Sequence, residues 1–293
     1  MLTSLGYQVR RIGSYYTTKE MDSLRIKDRR TWYRYSEGKG GDAIDFMQHF
    51  EGKTFPEAVD FLLAWNGRSR DPPDLAKRPP PVQRKERPAS VVEPVPFILP
   101  PANEDTRRVT AYLKKRGILP AVIRGFVDAG LLYEEKQHHN CVFVGKNSVN
   151  EPVYAAQRGT YDRDGASFRA GVPGSDKEIG FCLPYDSTVD RVNVFEAPID
   201  LMSFCSLHRD VTRNAVALCG LYEGPLDTYL REHPGIKYIF LCLDGDSPGQ
   251  KAADRLKEKY TQQGYVVSYK PPPRGKDWNE YLQHRQKCRG NER

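Results

Sequence analysis

The sequence has no Cys-x-x-Cys pair; its six cysteines, at 141, 182, 205, 219, 242 and 288, are scattered along the chain. Without a clustered set of soft ligands there is no reason to expect structural zinc or a dithiol redox centre. Cys205, Cys219 and Cys242 sit among apolar neighbours and read as buried free thiols, the pattern of a reducing, cytoplasmic protein. No apolar run approaches the ~18 residues of a membrane-spanning helix, so no membrane association is expected. Met1–Gly6 lacks the charged start and long apolar stretch of a secretory signal. A Gly-x-x-x-x-Gly-Lys-[Ser/Thr] phosphate loop is also missing, which excludes a P-loop motor within this sequence.

What is present is basic and modular. The 293 residues carry a net charge of +7, a balance that suits polyanionic partners. Hydrophobic residues make up 39%, enough for a packed core, and the length allows two domains. Ten of the 22 prolines fall between 68 and 102, which reads as an extended linker. Its cations Lys77, Arg78, Arg84, Lys85 and Arg87 read as a solvated charge run.

Two apolar runs end abruptly in acids. Val192–Phe195 leads into Glu196, and Tyr238–Leu243 leads into Asp244-Gly245-Asp246. β-Branched and aromatic runs of this length read as buried strands. In parallel α/β sheets, ligands collect beyond the carboxyl ends of strands, so these acids converge at one sheet edge. Gathered carboxylates suit Mg²⁺ or Mn²⁺, hard cations that take oxygen ligands. Taken singly, each piece has an ordinary reading: Asp-Gly is a common turn, and a Glu after a strand can cap a helix or face water.

The ordered pair resembles the Toprim domain shared by DnaG-type primases, topoisomerases and some nucleases. That resemblance implies metal binding by Glu196, Asp244 and Asp246. Ser247–Ala253 is similar to the turn and helix start that primases carry next, and Gly275–Leu282 resembles the segment that supplies a further acid, Asp277. Asp200 matches the Glu-x-x-x-Asp spacing of the primase pattern. Asp200 and Asp277 are then expected as outer ligands or as groups that orient the ligands. The implied fold class is α/β: a Toprim-type parallel sheet flanked by helices over residues 191–293, preceded by a helical and β basic subdomain over 103–190. A small α+β module over 1–67 and the linker over 68–102 complete the expected division.

In the module, Tyr15-Tyr16, Leu24–Ile26 and Trp32–Tyr35 read as short strands. Gly38–Gly41 reads as a turn ending at Asp42, the N-cap of a helix with Ala43, Ile44, Phe46, Met47 and Phe50 at helical spacing. Phe55–Leu63 reads as a second helix. Gly38–Phe46 resembles the zinc-binding domain of DnaG-type primases, but Arg34 and Glu37 stand where cysteines are expected, so no structural zinc is expected. The nearest likeness is to small primase-like proteins of mobile elements. Arg30, Trp32, Arg34, Tyr35 and Lys39 interleave cations with aromatics, a pattern that suits single-stranded DNA through stacking and phosphate contacts. The same alternation also fits a core face backed by solvated cations.

Beyond the linker, residues 103–136 read as helical, with Gly117 as a helix stop after Tyr112–Arg116. Strands are expected at 141–144, 153–158 and 180–183. The primase resemblance implies a basic surface here, with Arg158, Arg169 and Lys177 as the expected nucleotide or template contacts, since arginine gives bidentate phosphate binding; ordinary surface cations are the other reading. The adjacent pair His138-His139 reads as a loop or strand edge, since neighbours in a strand face opposite ways.

The resemblance implies a primase: metal-dependent synthesis of short RNA primers from ribonucleoside triphosphates on single-stranded DNA, for plasmid or mobile-element replication. Glu196, Asp244 and Asp246 are its expected catalytic residues, and a separate helicase or relaxase its expected partner. A Toprim nuclease using the same acids, with Glu196 as a general base, and a non-catalytic single-strand-binding accessory are the alternatives.

Overall fold

The computed structural model describes residues 1–35, 37, 39–68, 95–163, 166–208 and 214–291. The linker cations Lys77, Arg78, Arg84, Lys85 and Arg87, and Gly38 of the turn, lie outside these residues. The chain divides into two compact units, Met1–Glu93 and Pro94–Arg293.

The first unit is an antiparallel meander followed by two helices. Strands β1 (Val9–Ile12), β2 (Tyr15–Thr18), β3 (Leu24–Lys27), β4 (Thr31–Arg34) and β5 (Lys39–Gly41) pair in chain order. Helices α1 (Ala43–Phe50) and α2 (Phe55–Trp65) close the core around Leu24, Trp32, Phe46, Met47 and Ala58. Asp42 caps α1 as expected: its Oδ1 accepts from the N–H groups of Ile44 (2.8 Å) and Asp45 (3.1 Å), and Asp45 returns the favour by accepting from Asp42 N–H. Lys39–Gly41 is a strand rather than only a turn. Gly40 lies opposite Tyr33, and a Cβ there would press on the Trp32 carbonyl, so the close pairing needs glycine.

The second unit opens with helices α3 (Arg107–Lys115) and α4 (Pro120–Asp128) and an antiparallel sheet of β6 (Leu132–Glu134), β7 (Cys141–Lys146), β8 (Pro152–Arg163) and β9 (Ala166–Gly171). Gly117, at φ +85°, ends α3 in the left-handed conformation expected of it. The helical reading of 103–136 stops early: Gly130 turns the chain at φ +64° and Leu132 pairs with Phe143. Residues 95–102 run against this sheet, with Tyr133 Oη donating to the Pro100 carbonyl (2.6 Å) and Phe97 and Leu99 packed on Val142, Val144 and Ala155.

A five-stranded sheet follows, built from β10 (Phe181–Cys182), β11 (Arg191–Phe195), β12 (Ala215–Ala217), β13 (Tyr238–Leu241) and β14 (Val266–Tyr269). Its spatial order is β10-β12-β11-β13-β14; β11 to β14 are parallel and β10 is an antiparallel edge. Helices α5 (Pro198–Leu207), α6 (Gly224–Glu232), α7 (Ser247–Gln262) and α8 (Trp278–Asn291) connect and follow the strands. Both faces are covered. Val192, Val194, Ile239 and Leu241 point into the core shared with α6 and α7, whereas Phe195, Phe240 and Cys242 pack with α5 and α8. Coverage on both sides is why these strands read as mostly apolar runs, with Asn193 a buried polar exception in β11. Among the described residues, no helix is long and apolar enough to cross a membrane.

Candidate active site

The carboxyl ends of β11 and β13 lie side by side, because Val194 is in register with Leu241. Glu196 and Asp244 therefore leave the sheet at the same edge. The Asp244 loop is pinned by the start of α8 and the residue pair before it. Trp278 Nε1 donates to the Cys242 carbonyl (3.0 Å), and Gly245 N–H donates to the Lys276 carbonyl (2.7 Å). Tyr269 Oη donates to the Asp244 carbonyl (3.0 Å), fixing the loop from β14.

Helix α7 approaches this loop closely. Asp246 is its N-cap, accepting from Gly249 N–H (3.0 Å) through Oδ1. A Cβ on Gly249 would run into the Asp244 carbonyl, so glycine sets how near the helix stands. Asp277 begins α8 in the same way, its Oδ1 accepting from Glu280 N–H (2.7 Å).

The acids form one electrostatic cluster. Burial, then Asp244, Asp200 and Asp246, push Glu196 up to about 8, against a pull downward from Lys276. Asp244 is raised to about 7 by burial and by Asp277, with Lys276 lowering it and Asp246 raising it. Asp200 is 6% exposed, and burial and the neighbouring Asp277 and Asp244 hold its pKa well above the usual carboxylate range. Its Oδ1 accepts from Asn279 N–H (3.2 Å). Asp200 thus stands behind the cluster rather than at its mouth.

Two observations bear on a divalent cation. Asp244 Oδ1 is buried and has no hydrogen-bond partner. Among the described residues, no three His, Cys, Asp or Glu side chains stand where together they could hold a metal ion, so the side chains as placed form no metal site. The chemistry of the donor set, carboxylates with one orphaned oxygen, is that of Mg²⁺ or Mn²⁺ ligands.

Two cationic groups near the acids were not singled out by the sequence reading. Lys276 Nζ lies 3.2 Å from Asp246 Oδ2. Its position beside Asp277 in Gly275-Lys276-Asp277 was the available signal. Arg116 acts electrostatically on Asp200 and donates through Nη1 to Tyr112 Oη (3.3 Å), the hydroxyl that Arg158 Nε also approaches (3.4 Å). Asn279 was missed too: fully buried, it donates to the Arg116 carbonyl and Ser203 Oγ (both 2.9 Å), tying α3, α5 and α8 together.

Arg158 and Arg169 are brought together, directly opposite each other on β8 and β9 and so on one face of the sheet. Lys177 is exposed in the loop between β9 and β10, outside that register. Tyr161 and Phe168 are exposed on the same two strands, and the Arg108 guanidinium lies over the Tyr161 ring. His138 and His139 face Glu135 and Glu134 respectively, His139 Nδ1 at 2.6 Å from Glu134.

In the first unit, two of the five proposed DNA contacts are corrected. Trp32 is 7% exposed, packs on Phe46 and Phe50, and donates from Nε1 to the Asp42 carbonyl (2.7 Å). Arg34, on the same face of β4, lies over Phe50 and pairs with Glu37 (2.7 Å). The period-2 alternation turned this face to the core. Arg30, Tyr35 and Lys39 remain exposed, and Tyr35 stacks edge-on against Tyr33 with ring centroids 5.0 Å apart.

Residues 193–282 match the family model described as Toprim-like, and residues 111–188 match that of a protein of unknown function, DUF3991. The chain is 26% identical over 290 residues to an uncharacterized protein of Bacillus anthracis, an alignment covering 91% of this chain and 80% of that protein. It is 35% identical over 68 residues to an uncharacterized protein of Mycoplasma genitalium, 23% of this chain and 31% of the other. Among solved structures, it is similar to the zinc-binding and RNA polymerase domains of the Aquifex aeolicus primase (TM-score 0.46, 19% identity, 99% of this chain and 81% of that one). It is also similar to the primase fragment of the bacteriophage T7 primase-helicase protein (TM-score 0.49, 15% identity, 92% and 93%).

Proposed function

We propose that this chain, which carries a Toprim-like domain over residues 193–282, is a DNA primase that joins ribonucleoside triphosphates on a single-stranded DNA template. The observation that carries the reading is the convergence of Glu196, Asp244 and Asp246 at one sheet edge, with Asp244 Oδ1 buried and unpartnered. These three residues would hold Mg²⁺ or Mn²⁺, with Asp200 and Asp277 orienting the loops from behind. A divalent cation bound there supplies charge neutralisation and alignment for phosphoryl transfer.

The protein's own groups do the rest. Glu196 and Asp244, whose protons are held by burial and by the neighbouring acids, would give them up as the cation loads. Arg158 and Arg169, paired across β8 and β9, present two planar donors to phosphate oxygens. Tyr161 and Phe168 add exposed rings on the same strands, where bases can stack. In the first unit, Arg30, Tyr35 and Lys39 are left as the template contacts. Service to plasmid or mobile-element DNA, with a separate helicase or relaxase, belongs to this reading.

The test is ribonucleotide incorporation by the full chain on single-stranded DNA with Mg²⁺ or Mn²⁺. Short, alkali-labile products support the primase. Metal-dependent loss of the template without new RNA would move the same acids to a nuclease. Tight single-strand binding with neither reaction would leave an accessory binder.

A further inference from the structure

Lys276 rests its charge on the acid cluster. Its ammonium is 3.2 Å from Asp246 Oδ2 and interacts electrostatically with Asp244 and Glu196 as well. Its backbone is fixed on both sides: the carbonyl accepts from Gly245 N–H (2.7 Å) and the N–H donates to Glu280 Oε2 (2.6 Å). The side chain itself is 59% exposed. A rigid base with a free four-carbon stem is a swinging arm whose charge rests on the acids. One ammonium partly neutralises three carboxylates and leaves Asp244 Oδ1 without a partner.

We propose that Lys276 is the resident counter-cation of the acid cluster, displaced from Asp246 when a divalent cation loads and then engaged by the polyphosphate of an incoming nucleotide. This rests on the reading of Glu196, Asp244 and Asp246 as a divalent-metal site. A divalent cation carries more charge to the same oxygens and repels the ammonium. The freed ammonium, held by its backbone at the rim, meets the next anion to arrive. Lysine suits such a transfer because its charge is compact, well hydrated and carried on rotatable bonds, whereas arginine holds its fork to one partner. Lys276 is in this sense a positioning residue for the nucleotide and a competitor for the metal.

The experiment titrates Mn²⁺ into the full chain without nucleotide, reading free Mn²⁺ by electron paramagnetic resonance. Lys276→Met is expected to bind Mn²⁺ about three- to fivefold more tightly than wild type, the scale of a partly exposed ion pair. Lys276→Arg keeps the charge on Asp246 and is expected not to show the gain in Mn²⁺ affinity. ATP is then titrated into each Mn²⁺-saturated protein by calorimetry. Lys276→Met is expected to bind it about tenfold more weakly, the scale of one lost charge-assisted hydrogen bond. Unchanged or weaker Mn²⁺ binding by Lys276→Met overturns the counter-cation role, and unchanged ATP binding overturns the transfer to nucleotide. Absence of Mn²⁺ binding by wild type, or its survival in Asp244→Asn/Asp246→Asn, overturns the metal-site reading and this proposal with it. Tight Mn²⁺ binding lost in the double variant but indifferent to Lys276 overturns this proposal alone.

Discussion

Gly245 N–H donates to the Lys276 carbonyl at 2.7 Å, so the loop that bears Asp244 and Asp246 is tied by one backbone bond to the loop that bears Asp277. Acids some thirty residues apart are thereby held as one rigid rim. The rim's geometry depends on glycine at one of its two candidate positions. A Cβ at Gly245 would meet nothing nearer than 3.6 Å, whereas a Cβ at Gly249 would strike the Asp244 carbonyl. Gly249→Ala is expected to lower Mn²⁺ affinity about tenfold or more and to destabilise the fold by about 1–3 kcal/mol, the usual scale of overpacking. Gly245→Ala is expected to stay near wild type in both. Thermal melting and metal titration of the two variants separate them.

Protons and metal compete at the cluster. Between the ordinary carboxylate range and about 8, the folded chain holds protons on Glu196 and Asp244 that the unfolded chain releases. Stability of the metal-free protein therefore falls as pH rises through this window, since the native state binds more protons than the unfolded one. Mn²⁺ affinity rises over the same window, because binding must expel those protons. Melting temperatures from about pH 5 to 9, with and without Mn²⁺, should converge in acid and diverge in base. Parallel curves would contradict the assignment.

Asn279 is the hub behind the site. Its replacement by alanine removes the donor to the Arg116 carbonyl and Ser203 Oγ and the acceptor for Gln283 Nε2. Buried groups left unpaired cost about 1–3 kcal/mol each. Asn279→Ala is expected to destabilise the protein by at least about 2 kcal/mol in urea unfolding, with Asn279→Asp no milder, since a carboxylate donates to neither oxygen and is buried beside Asp200.

The first unit is braced by charge where the resembled domain uses metal ligands. Glu37 pairs with Arg34 at 2.7 Å and with His49 at 2.6 Å, and His49 stacks on Trp32. Chelator is expected to leave the melting of this unit unchanged. Glu37→Gln is expected to destabilise it by about 0.5–1 kcal/mol, as for other partly exposed ion pairs. A chelator-induced loss of structure would contradict this.

The acids were legible because each ends a strand buried on both faces, a pattern local sequence carries: Val192–Phe195 into Glu196, Tyr238–Leu243 into Asp244. The Asp42 cap and the Gly117 stop were legible for the same reason; each depends on a few adjacent residues. Trp32 and Arg34 were not, because alternation along β4 says which residues share a face and not which face meets the helices. Arg116 and Asn279 were missed because their roles arise from α3, α5 and α8 coming together across more than 70 residues of sequence, and Lys276 because its partner Asp246 lies on a different loop, the one before α7. The strand at Leu132–Glu134 was hidden because three residues carry no readable period.

The most direct measurement is primer synthesis by the full chain on single-stranded DNA, with wild type and Asp244→Asn/Asp246→Asn run side by side in Mg²⁺ and in Mn²⁺. The account predicts short RNA from the wild type and none from the double variant, with single-strand binding retained by both. RNA synthesis that survives in the double variant would contradict it, because the reaction would then not depend on the acids at the carboxyl edge of the sheet.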